Sequence, residues 1–97
     1  MPRSVPNLDH LGGTWAIEVG VYPRSTQAND VAMAARSSLP DLLGGARVAV
    51  APTTPFGGAA HYRAQLTALS LLTARAACGK LTQRGLGCTL VLPGNGG

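Results

Sequence analysis

His61, Arg63, Gln65 and Thr67 recur at every second position of the stretch AAHYRAQLTALS, residues 59–70. Successive side chains of an extended chain point to opposite faces, so these four share one surface. Tyr62, Ala64, Leu66 and Ala68 then share the other, and their types are those of a core. The first set is a row of hydrogen-bonding groups. Arg63 carries a planar fan of donors, Gln65 both donors and an acceptor, and Thr67 a hydroxyl that does either. Such a row suits a ligand rich in hydroxyls, amides and carboxylates, the last of which an arginine meets in two-pronged fashion. The plainer alternative is a solvated strand face with no ligand.

Catalytic patterns are missing from the sequence. S-x-x-K, G-x-S-x-G and H-E-x-x-H do not occur. Glu18, Asp30 and Asp41 are too dispersed to nominate as a glycosidase pair. A Cys78 nucleophile served by His61 is disfavoured because Cys78 falls on an apolar helical stripe, where a thiol is inert. The chain therefore reads as a binding module with no cofactor. Cys78 and Cys88 are the only cysteines, no C-x-x-C spacing exists, and His10 and His61 lie far off in sequence, so no metal site is expected. The pair has two readings: a disulfide worth about 2–3 kcal/mol across a short loop, or two separate thiols acting as small hydrophobes. An oxidising compartment favours the first.

The elements that must position these residues follow from periodicity and punctuation. TWAIEVGVY, residues 14–22, is β-branched and aromatic, with Trp15, Ile17, Val19 and Val21 in one phase and Glu18 in the other. PRS breaks this strand, and Ser25 or Thr26 can cap a helix. Ala28, Val31, Ala32, Ala35 and Leu39 then form one apolar stripe that Pro40 and the Gly44–Gly45 pair end, after an extra turn through Asp41–Leu43. ARVAVAP, residues 46–52, is a second strand with Val48 and Val50 inward and Arg47 outward. The turn-rich TTPFGG leads into the third strand. Ser70 caps a second helix striped by Ala74, Ala77, Cys78 and Leu81. Gly85 occupies a left-handed C-terminal cap position with Leu86 folding back on Leu81. CTLVLP, residues 88–93, is the last strand.

The order strand–helix–strand–strand–helix–strand predicts an α+β fold, the split βαβ or ferredoxin-like arrangement. Two helices with single apolar stripes cover only one face of a four-stranded antiparallel sheet. His61, Arg63, Gln65 and Thr67 then stand on the open face. The first and third strands of this topology are central neighbours, which sets Glu18 beside Arg63 or Gln65.

Composition agrees with one small domain. The 97 residues are 45% hydrophobic and 12% charged, against about 25% charged for an average domain. Residues 1–13, rich in Pro and Gly, read as a flexible linker or an appended arm, 14–93 as the domain, and 94–97 as a flexible tail. No apolar run approaches the roughly 18 residues of a membrane span, and no export-signal stretch opens the chain, so an extracytoplasmic role implies a signal elsewhere in a larger protein. The net charge of +4 favours polyanions weakly, and its eight cations are too scattered for a nucleic-acid footprint. Nothing in the pattern calls for more than a monomer.

Three stretches resemble the SPOR domain, the small peptidoglycan-binding module of bacterial envelope proteins. IEVGVY (17–22) is similar to the family's first-strand pattern V-Q-V-G-S-F, and YRAQLTAL (62–69) to its third-strand pattern Y-R-V-x-V-G-P-F. ACGKLTQRGLGC (77–88) resembles A-C-x-x-L-x-x-R-G-x-x-C, a pattern of SPOR domains attached to alphaproteobacterial D-alanyl-D-alanine carboxypeptidases. The resemblance spans residues 14–93. It implies a non-catalytic domain in the periplasm that binds septal glycan strands stripped of their stem peptides, any catalysis residing elsewhere in the parent protein. The implied glycan contacts are Glu18 and Val21, where the family commonly has Gln and Ser, Arg63, and an aromatic position matched by His61 or Tyr62. Gln65, Thr67 and Arg47 extend the patch. The alternative on the same topology is an RNA-binding or protein-interaction module. The third strand lacks the K/R-G-F/Y-G/A-F-V-x-F/Y signature of RNA-recognition modules, so nucleic acid is not the expected partner.

Overall fold

The computed structural model describes residues 14–92. The expected arm at 1–13, the tail at 94–97 and the last residue of the expected domain, Pro93, lie outside the described residues. The chain runs β1 (Trp15–Tyr22), α1 (Ser25–Ser38), a single turn α2 (Pro40–Leu43), β2 (Arg47–Thr53), a 3-10 turn (Pro55–Gly57), β3 (His61–Leu69), α3 (Leu71–Gln83) and β4 (Thr89–Val91). The four strands form one antiparallel sheet in the order β2-β3-β1-β4, with β1 and β3 central as expected for the split βαβ topology.

Small residues set how closely the helices approach. The buried positions of α1 are Ala28, Ala32 and Ala35, and those of α3 are Ala74, Ala77 and Leu81. Bulk comes from Ile17, Leu43, Leu66 and Leu81, the largest fully buried side chains. These four gather with Val19, Leu39, Ala46, Ala64 and Leu69 into a single core between the sheet and the helices. A domain this small depends on each of them, since removing one buried leucine side chain costs roughly 2–5 kcal/mol.

The helix ends follow local chemistry, with one departure. Ser70 caps α3 as expected, its Oγ accepting from the Thr73 backbone N–H at 3.1 Å. Gly85 closes the helix at φ 81°, with Leu86 N–H bonded to the Leu81 carbonyl and Gly85 N–H to that of Thr82, both at 2.9 Å. That pair of bonds is the Schellman pattern. At α1 the expected caps Ser25 and Thr26 are not caps. Arg24 holds the N-cap position in extended conformation, without a side-chain bond, and its carbonyl accepts from Ala28 N–H. The helix therefore starts one residue earlier than a hydroxyl cap allows. The extra turn α2 is present: Leu39 leaves the helical region because it precedes Pro40, and Pro40 opens the new turn.

Strict alternation fails at two places in the central strand pair. Glu18 faces Gln65 but Gly20 faces Ala64, so Val19 is an extra residue in β1. Val19 remains in the core, and Val21 is turned to the other face, 43% exposed and opposite Arg63. The expectation that Val21 points inward with Trp15, Ile17 and Val19 is thus corrected by a β-bulge. Gly20 makes it possible: its φ is +152°, and a Cβ there would lie 2.7 Å from ring carbons of Tyr22. The second bulge is in β3, where Leu69 faces Trp15 and Leu66 faces Ile17. Ala68 adopts φ 65° and is exposed, so Leu69, at 3% exposure, takes the inward place expected for Ala68.

Cys78 and Cys88 form a disulfide, with Cα atoms 5.3 Å apart. It joins the third turn of α3 to the residue before β4, and both cysteines pack against the core. No helix among the described residues is long and apolar enough to cross a membrane.

Candidate functional site

Register assigns the side chains of the sheet face that α1 and α3 leave free. One row crosses all four strands as Ala49, Gln65, Glu18 and Thr89. The next holds Ala51, Arg63 and Val21. Arg47 and Thr67 are paired on one side of these rows, and Thr53 and His61 on the other. Every residue proposed from the sequence for ligand contact, namely Glu18, Val21, Arg47, His61, Arg63, Gln65 and Thr67, therefore belongs to this face. Tyr62, the other candidate for the aromatic position, packs against the core instead. His61 is the ring that stays on the face, its Nδ1 3.0 Å from the Ala59 carbonyl oxygen.

The electrostatic centre is the one ion pair among the described residues. Arg63 Nε donates to Glu18 Oε1 at 2.7 Å, with the two side chains 28% and 22% exposed. At that exposure the pair contributes under about 1 kcal/mol to stability. Its larger effect is on the surface: opposite charges cancel at the middle of the face, and each long side chain is held across the β1–β3 seam. Arg47, on the edge strand, is exposed. Thr67 Oγ1 donates to the Arg47 carbonyl oxygen at 3.4 Å.

Gln65 differs from its neighbours. It is 4% exposed, the only buried polar residue among the described residues, and its Nε2 has no hydrogen-bond partner among them. An amide nitrogen buried without a partner costs roughly 1–3 kcal/mol. The surrounding floor is small and apolar, built of Ala49 and Ala51 on β2 and of Ala16 on β1. Sequence reasoning missed this floor and Thr89. Thr89 was legible, because alternation within TLV sets it opposite in phase to Leu90. The alanines were legible by phase, since Ala49 and Ala51 alternate with Val48 and Val50 and Ala16 with Trp15 and Ile17, but their gathering around Gln65 comes from cross-strand register.

No cluster of three or more His, Cys, Asp or Glu side chains is present among the described residues. Cys78, engaged in the disulfide, is no nucleophile. Surface hollows lined by Ser25, Thr26, Asn29, Asp30 and Val50, and by residues of α2 with Lys80 and Arg84, lie in the helical layer rather than on this face. Comparison with protein-family models, curated proteins and solved structures gave no match to this chain.

Proposed function

We propose that the chain is a SPOR-like, non-catalytic module that binds peptidoglycan glycan strands lacking stem peptides through its helix-free sheet face. In this reading it works in the periplasm and directs a larger envelope protein to the division septum. The observation that carries the proposal is a convergence. The positions at which the sequence resemblance implies glycan contact, Glu18, Val21, His61 and Arg63, come from two strands and fall on one face with Gln65 and Thr67. The β1 bulge is part of it, because without it Val21 would be in the core.

The chemistry of the face supports a sugar polymer. Arg63, Gln65 and Thr67 donate, Glu18, Gln65 and Thr67 accept, and the alanine floor leaves room for a ring or its substituents. Glu18 in place of an amide removes a donor, but its charge is compensated by Arg63 rather than presented bare to the ligand. The disulfide supports an oxidising compartment. An RNA reading of the same topology needs exposed rings to stack on bases, and Trp15, Tyr22 and Tyr62 all pack against the core.

Co-sedimentation with peptidoglycan sacculi tests the proposal. Retention should rise on sacculi treated with an amidase that strips stem peptides. It should fall at least tenfold for the Arg63→Ala, Gln65→Ala double variant. Equal retention of that variant, or no retention of the wild type, would remove the proposal.

A further inference from the structure

Gln65 carries a polar group that folding leaves unused. Its Nε2 is buried without a partner among the described residues, in the middle of a face that no helix covers. A donor in that condition raises the energy of the free protein, and a ligand that supplies an acceptor recovers the loss. Four neighbours define what that acceptor must be. The Glu18–Arg63 pair cancels charge beside it, so an anion gains nothing over a neutral group. The carboxylate uses Oε1 toward Arg63, leaving Oε2 to accept one N–H from the ligand. Ala49, directly opposite Gln65 on β2, and Val21, on the adjacent row, provide an apolar resting place for a methyl group. A neutral carbonyl oxygen, an N–H and a methyl within one small group describe an acetamido substituent.

Resting on the glycan reading above, we infer that Gln65 is the specificity-determining contact of this face and that it selects N-acetylated sugars. Nε2 donates to the acetamido carbonyl, and the acetamido N–H is taken by Glu18. The group reaches Gln65 past Glu18 and Arg63, whose long, partly exposed side chains swing aside as one unit with the bond between them kept.

The test uses the whole 97-residue chain and soluble glycan strands released from sacculi by amidase. The same strands are also supplied after chemical de-N-acetylation and after re-N-acetylation. The wild type should bind the native and re-acetylated strands about tenfold or more tighter than the de-acetylated ones, the factor expected for one hydrogen bond to a buried amide. Gln65→Met, close to isosteric but without the amide, should bind all three at the weaker affinity. Its melting temperature should equal or exceed that of the wild type, because the Nε2 it loses has no hydrogen-bond partner among the described residues. Equal wild-type affinity for acetylated and de-acetylated strands would overturn the acetamide assignment while leaving glycan binding intact. So would a Gln65→Met protein that keeps the wild-type preference. Failure of the wild type to bind any of the strands would overturn both. The wild-type comparison needs no variant, so it decides the matter even if Gln65→Met folds poorly.

Discussion

Ala68 is the one non-glycine residue with positive φ among the described residues, at 65°. A side chain in the left-handed region costs roughly 1–2 kcal/mol, and the exposed Ala68 makes no core contact that offsets it. Relieving it carries its own penalty, because glycine loses more freedom on folding. The net expectation for Ala68→Gly is a gain of about 0.5–1 kcal/mol, read as a melting temperature higher by a few degrees in a domain this size. A lower melting temperature would mean that the bulge is held by contacts other than its backbone. The two bulges were unequally legible for a physical reason. Gly20 inside EVGVY is a punctuation mark that strands tolerate chiefly at bulges, so the outward turn of Val21 was available from the sequence. Ala68 gives no such mark. Alanine is at ease in strand and helix alike, and only the pairing of Leu69 with Trp15 reveals its strain.

Among the elements, β4 is the weakest. It has three residues, sits at the sheet edge and pairs only with β1. Its outward-phase Thr89 completes the row that contains Glu18 and Gln65, so the site needs this strand in place. The Cys78–Cys88 disulfide ties it to α3 across a separation of 10 residues. Reducing it should lower stability by about 2–3 kcal/mol on the loop-entropy account. Amide exchange should quicken first in β4 and in its β1 partners Ala16–Glu18, before the β2–β3 ladder is affected. Uniform acceleration across the sheet would show instead that the bond stabilises the domain only globally. The order of elements and the strand neighbours were legible because helical stripes of Ala and Leu alternate with β-branched runs, and each has its own period. The start of α1 was not. Ser25 and Thr26 are good caps by type, yet Arg24, extended after Pro23, takes the N-cap position, its carbonyl accepting the first intrahelical bond from Ala28 N–H with no side-chain cap.

At the scale of the molecule the account rests on asymmetry. The helices and the core occupy one side of the sheet, and the other side carries a neutralised ion pair, an unpaired buried amide and an alanine floor. The placement of Arg63, Gln65 and Thr67 on this face was legible from the alternation of YRAQLTAL, and what was not legible, the depth of Gln65 and the gathering of alanines around it, arises from cross-strand register. The most direct measurement is a 15N–1H correlation spectrum of the labelled protein titrated with soluble glycan strands freed of stem peptides. The account predicts progressive shifts concentrated at Glu18, Val21, Arg63, Gln65, Thr67 and Ala49, together with the Gln65 side-chain NH2, while the outer surfaces of α1 and α3 stay still. Shifts confined to the helices, or none at saturating glycan, would contradict it.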